Sequence, residues 1–282
     1  MWGDFMLNWL VVDDLIQNAL IEDIGFGDVT TDCLIPKEQI SAGRFIAKEE
    51  GILAGIDVAK RVFELLDQDI SFRKNYHDGD ILNKGDIIAE IEGHTAAILK
   101  GERVALNILQ RMCGIATKTY RVCSLVRDYN VKIVDTRKTL PGFRMLDKYA
   151  VLVGGGHNHR INLSDLVLIK DNHIKAVGSI KDAVMLAKEK APFTVKIEVE
   201  VESLEQLEEA IEARADIIML DNMDVETMRK AVVITDKRAL LEASGNITED
   251  NVREIASTGV DIISMGSLTH SVKALDISLR LL

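Results

Sequence analysis

The sequence predicts an α/β protein in two parts: a small α+β unit, then a parallel α/β barrel with fewer strands than the usual eight. Three observations carry that expectation. After Lys132 short apolar runs alternate with helical segments, and the later runs recur roughly every 20 to 30 residues, the spacing of a βα unit. Before it, residues 70–91 hold short strands punctuated by Asp78-Gly79-Asp80 and Lys84-Gly85-Asp86, which are hairpin signals. Two of the later apolar runs, Ile133-Val134 and Leu166 to Ile169, stop abruptly in charge, as catalytic strand ends in a barrel do.

The elements follow in order. Residues Asn8 to Glu22 place Leu10, Val11, Leu15, Ile16, Ala19 and Leu20 at helical spacing. The turn-rich stretch from Glu22 to Asp32 reads as a structured connection rather than a ligand site. Ser41 to Lys48 alternates as a strand, and Ile56 to Leu66 reads as a helix. Gly101 to Ala116 is a helix with apolar cover on most of its circumference, which marks it as well buried and as the passage into the second unit. Its Arg103 and Arg111 read as helix-surface salt bridges. Six strands are then expected: Val131 to Asp135, Leu166 to Lys170, Thr194 to Val201, Asp216 to Asp221, Ala239 to Ala243 and Asp261 to Met265. Helices at Ile180 to Lys190, Leu204 to Ala213, Val225 to Val233 and Glu249 to Thr258 separate the later ones, so the strands should be parallel and the barrel incomplete.

Composition narrows the function. The 282 residues carry a formal charge of -11, which argues against a nucleic-acid footprint. The three cysteines form no CxxC pair or disulfide framework, in keeping with a reducing cytoplasm, and no apolar run is long enough to span a membrane. Positive charge is local instead. Asp135-Thr136-Arg137-Lys138 and Lys170-Asp171-Asn172-His173 end their strands, and Gly154-Gly155-Gly156-His157-Asn158-His159-Arg160 lies between. Arg137, Lys138, Arg160 and Lys170 would converge on a strongly anionic small ligand bearing carboxylates, phosphates or both.

Acids face the same mouth. Lys196, Glu198 and Glu200 alternate with Ile197, Val199 and Val201, so the charged face points inward. Asp221 ends the next strand, and Glu242 lies near the end of the one after. These acids either hold Mg²⁺, partly through water, or bind sugar hydroxyls, or form an internal ion-pair network with Lys196. Ser244-Gly245-Asn246 and Met265-Gly266-Ser267 follow late strands and precede helix starts, which makes each a candidate phosphate cradle of backbone N–H groups. Gly154-Gly155-Gly156 is neither a Walker A loop nor a GxGxxG fingerprint. His157 and His159 lack a third zinc ligand at supportive spacing, and no Gly-x-Ser-x-Gly elbow occurs.

These residues closely resemble a known family. GDVTT at 27–31, ERVALNILQRMCGIAT at 102–117, DTRKTLPGFRMLDKYAV at 135–151, GGGHNHR at 154–160, LIKDNHI at 168–174, IEVEVESLEQL at 197–207, IMLDNM at 218–223, LEASGNI at 241–247 and MGSLTHSVKALDISL at 265–279 are similar, in order, to quinolinate phosphoribosyltransferases, also called nicotinate-nucleotide pyrophosphorylases (carboxylating). The resemblance implies an N-terminal α/β sandwich domain at 1–108, with the tail 272–282 packing on it, and an incomplete, six-stranded α/β barrel at 109–271. It implies conversion of quinolinate and phosphoribosyl pyrophosphate to nicotinate mononucleotide, pyrophosphate and CO₂, with Mg²⁺, in NAD biosynthesis.

Roles come with it. Thr136, Arg137, His159 and Arg160 match quinolinate-binding positions, and Arg103 matches an arginine supplied by the neighbouring subunit of at least a dimer. Lys138 and Lys170 match lysines near pyrophosphate and substrate, and Glu200 and Asp221 match acids near the ribose hydroxyls and Mg²⁺. Ser244, Gly245, Asn246, Met265, Gly266 and Ser267 match the phosphate turns. Leu152 stands in place of an arginine, Asn246 of a second glycine and Ser267 of an alanine; asparagine tolerates left-handed backbone angles, so that turn should survive. Two rivals remain at this stage. One is a related phosphoribosyltransferase with another anionic acceptor, separable by competition between quinolinate and nicotinate. The other is a non-catalytic binder of phosphorylated ligands, which would bind without turnover.

Overall fold

A computed structural model of the chain describes residues 7–282. In chain order the elements are α1 (Trp9–Ile24), α2 (Val29–Leu34), β1 (Ile40–Ala47), β2 (Gly51–Ile52), α3 (Ile56–Leu66), β3 (Ser71–Lys74), β4 (Ile81–Leu82), β5 (Ile87–His94), α4 (Thr95–Leu125), β6 (Lys132–Val134), α5 (Arg144–Val153), β7 (Val167–Ile169), α6 (Asp171–Val177), α7 (Ile180–Lys190), β8 (Ile197–Val201), α8 (Leu204–Glu212), β9 (Ile217–Asp221), α9 (Val225–Thr235), β10 (Leu240–Ser244), α10 (Val252–Ala256), β11 (Ile262–Ser264), α11 (Ser267–His270) and β12 (Ile277–Leu281). Two compact units result. The first runs to Tyr120 and takes in Thr139–Gly155 and Leu268–Leu282; the second is Arg121–Lys138 with Gly156–Ser267.

The first unit is built on an antiparallel sheet in the order β12-β1-β5-β3. Phe45 of β1, Phe63 of α3 and Phe72 of β3 cluster on one face, with ring centroids 5.6 to 6.3 Å apart. Helix α3 buries Ile56, Val58, Ala59, Val62 and Phe63 on a single stripe. Asp78 caps it, accepting from the Gly55 N–H at 2.8 Å and the Ile56 N–H at 3.0 Å. The stretch before α2 is a structured connection: Asp28 accepts from the Thr31 N–H at 3.1 Å and from its hydroxyl.

One expectation about this unit needs correction. The turns at 78–80 and 84–86 do not join hairpins. Strand β4 pairs with β2, while β3 pairs with β5. The turn residues set the reversals, but ladder partners are chosen by which apolar faces meet. The 108/109 boundary divides the chain differently from the compact units. It cuts through α4, one continuous helix, and α5 packs back on that helix in the first unit. A Cβ at Gly154 would stand 2.5 Å from the Ala116 carbonyl, so only glycine allows the approach.

The second unit holds six parallel strands in the order β6-β11-β10-β9-β8-β7, the six expected from the sequence. Strands β6 and β7 lie at opposite edges of this order, and an isolated bridge ties Val134 to His157. The inner strands are mostly apolar, as expected of a sheet covered by helices, but Glu198 of β8 and Glu242 of β10 are buried within them. Among the described residues no helix is long and apolar enough to cross a membrane.

Candidate active site

In a parallel sheet the carboxyl ends of all strands lie along one edge, so the residues that follow them share one mouth. Thr136, Arg137 and Lys138 follow β6, Lys170 follows β7, Glu200 lies near the end of β8, Asp221 ends β9, and Ser244 ends β10. Gly245-Asn246 and Met265-Gly266 come immediately after β10 and β11, and Ser267 begins α11. The second unit therefore gathers every expected site residue except Arg103. Arg103 lies in the first unit, exposed on α4, with no ion pair among the described residues, so the expected surface salt bridge does not form there.

The segment carrying His159 and Arg160 is tied down by a residue that sequence reading left without a role. Asp135 is fully buried and accepts from Asn158 Nδ2 at 2.6 Å and from the His159 N–H at 2.9 Å. Its signal was present as the first charge after Ile133-Val134. Arg160 is placed near Arg137, and burial, then the Arg137 charge, lower its pKa. The Arg160 guanidinium nonetheless remains charged at any working pH. Arg160 also donates to the Leu166 carbonyl at 3.3 Å. Two cations held together at the mouth despite mutual repulsion make a receptor for a dianion.

Both ring nitrogens of His159 face protein groups. Nε2 lies 3.1 Å from Glu198 Oε2 and 3.3 Å from Glu242 Oε2. Nδ1 accepts from the Arg160 N–H at 2.8 Å. Burial opposes charge on this ring, but the two carboxylates outweigh it and push His159 up to about 10. Burial likewise pushes Glu198 up. The cluster therefore favours an extra proton, and since Arg160 donates to Nδ1, the carboxylate side is the better place for it. The three side chains also have the spacing of a metal site, with donor atoms within 4.8 Å. A metal on Nε2 would, however, require a proton on Nδ1, where the Arg160 N–H already points. We read the cluster as a buried polar support for the Arg160 segment, in which the carboxylate oxygens of Glu198 and Glu242 lie close to His159 without a well-directed hydrogen bond. Among the described residues Lys196, exposed ahead of β8, joins no such network; the side chain beside both acids is His159.

The remaining parts are local. Lys170 Nζ pairs with Glu200 Oε2 across adjacent strand ends. Asp171, beside it, pairs with Lys175 at 3.0 Å on the surface of α6. Thr136 accepts from the Lys138 N–H at 3.1 Å, which turns the chain after β6. Asn246 takes φ +50, so the turn keeps its left-handed form without a second glycine. Leu152 sits in α5, within the first unit.

Comparisons with known proteins agree with this fold. Models described as quinolinate phosphoribosyl transferase, N-terminal domain, and quinolinate phosphoribosyl transferase, C-terminal domain, match residues 28–113 and 115–280. A Bacillus subtilis (strain 168) protein named probable nicotinate-nucleotide pyrophosphorylase (carboxylating) is 48% identical over 273 residues, covering 97% of this chain and 94% of its own. One of the same name from Methanocaldococcus jannaschii is 47% identical over 274 residues, 94% of this chain and 95% of its own. The crystal structure of NadC from Streptococcus pyogenes is 44% identical with a TM-score of 0.94, covering 98% of this chain and 99% of that one. With both domain models matched in order and relatives similar from end to end, this chain belongs to the quinolinate phosphoribosyl transferase family.

Proposed function

We propose that this chain transfers the phosphoribosyl group of phosphoribosyl pyrophosphate to quinolinate and releases pyrophosphate and CO₂, leaving nicotinate mononucleotide. The observation that carries the acceptor is the Arg137–Arg160 pair, two mutually repelling guanidiniums at the strand-end mouth. A pyridine dicarboxylate satisfies both. Held this way, its ring nitrogen faces C1 of the ribose, and positioning supplies much of the rate. His159, Glu198 and Glu242 act by fixing Arg160 rather than by touching the acceptor.

Lys138 and Lys170 flank the departing pyrophosphate, and the turns at Ser244–Asn246 and Met265–Ser267 take the donor's phosphate. Glu200 and Asp221 lie where positive charge grows as the bond from C1 to oxygen breaks. Their hard carboxylate oxygens suit Mg²⁺, which keeps most of its waters and would neutralise charge on the pyrophosphate. Once ribosylated, the ring nitrogen is cationic. The adjacent carboxylate then leaves as CO₂, its bonding electron pair stays on the ring carbon beside that nitrogen, and a proton replaces it. No nucleophile is needed.

The test uses quinolinate labelled with carbon-14 in its 2-carboxyl. Labelled CO₂ and nicotinate mononucleotide should form together, only with phosphoribosyl pyrophosphate present, and EDTA should stop both. Turnover undiminished by EDTA would remove Mg²⁺ from the scheme, and no turnover would remove quinolinate. The exposed, unpaired Arg103 is proposed to complete the site of a neighbouring subunit in a homo-oligomer. Arg103→Ala should therefore lose activity without losing stability, and mixing it with Arg137→Ala subunits should restore activity. Absence of restoration in mixed oligomers would place Arg103 outside the site.

A further inference from the structure

Strands β9 and β10 end side by side, with Asp221 opposite Ser244. The Asn222 N–H donates to the Ser244 carbonyl at 2.9 Å, and the chain then turns on three left-handed residues: Asn222 at φ +53, Gly245 at φ +96 and Asn246 at φ +50. The Asn222 carboxamide lies over Gly245, where a Cβ would stand 2.2 Å from its Oδ1. Its Nδ2 donates to Asp221 Oδ2 at 2.8 Å, and its Oδ1 accepts from Asn246 Nδ2 at 3.0 Å. The orientation is self-consistent, since a carboxylate only accepts and so the amide nitrogen must face Asp221. Asn251 continues the chain, donating to the Asn246 carbonyl at 3.1 Å and accepting from the Thr248 N–H at 2.8 Å.

We infer that Asn222 is a positioning residue for the sugar-phosphate donor: one carboxamide locks the Asp221 carboxylate and the Gly245–Asn246 turn together. The inference rests on the proposed roles of Asp221 and of that turn. The carboxylate that meets the ribose and the backbone that meets the phosphate are then set before the donor arrives, which lowers the ordering cost of binding. Asn246 supplies the second half of the clasp.

Glycine replacements test this cleanly, because glycine keeps the left-handed backbone and removes only the side chain. Asn222→Gly should raise KM for phosphoribosyl pyrophosphate roughly tenfold, the worth of one charge-assisted hydrogen bond, and leave KM for quinolinate within about twofold. Asn246→Gly, which deletes only the neutral bond, should raise it about fivefold or less. The double variant should be no worse than Asn222→Gly alone, since both remove the same link. An unchanged KM for phosphoribosyl pyrophosphate in Asn222→Gly, equal rises for both substrates, or effects that multiply would each overturn the inference. Asp221→Asn separates the two levels: if it leaves donor KM unchanged, the role of Asp221 itself fails.

Discussion

Arg137→Ala should lose on the order of a thousandfold in kcat/KM for quinolinate, because truncating one partner of a desolvated charge pair costs about 2–5 kcal/mol. Arg137 lies in the charged segment after β6, beyond Asp135 and Thr136, and stands close enough to Arg160 for its charge to lower the Arg160 pKa. Removing it leaves one carboxylate of the acceptor without its cation, and the pyridine nitrogen is no longer aimed at C1. The loss should appear in KM for quinolinate and in kcat, with KM for phosphoribosyl pyrophosphate much less affected. Arg137→Lys should recover only part of the activity, since an ammonium keeps the charge but not the planar fork. Near-parental turnover by Arg137→Ala would show that the arginine pair does not hold the acceptor.

Arg111→Ala should be the most damaging single change to stability, at about 3–5 kcal/mol, the cost of leaving a buried charge without its partner. Arg111 Nε donates to Asp147 Oδ1 at 2.8 Å and Nη2 to Oδ2 at 2.7 Å, while Nη2 also donates to the Thr269 carbonyl at 3.0 Å. Asp147 is fully buried. Burial raises its pKa and Arg111 works against that rise. Without the guanidinium the folded-state pKa rises further above the unfolded value. The penalty is then present at neutral pH and shrinks as pH falls and Asp147 takes up a proton. Urea unfolding at pH 7 and at acid pH measures both parts. A defect of the same size at both pH values would mean the damage lies in lost packing. Pairing the change with Asp147→Leu should restore much of the stability, as apolar replacements of buried ion pairs do.

Arg111 also shows where local reading stops. As one helical residue it looked like a surface ion pair; its partner lies 36 positions along and fully inside. The same holds for His159, whose ring meets Glu198 and Glu242 from two strands that are not neighbours in the sheet. It holds too for Asp135, which grips the segment carrying Arg160 from 24 residues away. The hairpin signals at 78–80 and 84–86 were true turns, yet the ladders formed elsewhere.

Periodicity and punctuation are short-range, and they sufficed for what depends on neighbours along the chain: six parallel strands, the helices between the later ones, the charged strand ends and the left-handed turn at Gly245-Asn246. Because parallel strands all open at one edge, the strand ends alone already named Arg137, Lys138, Lys170, Glu200 and Asp221 as one group. Strand order, the pairing of β12 with β1, the return of α5 to the first unit and the partners of each buried charge are different in kind. Each depends on which distant surfaces exclude water together, and on which buried ions then find a counter-charge. A stretch of sequence carries no record of either until the chain has closed on itself.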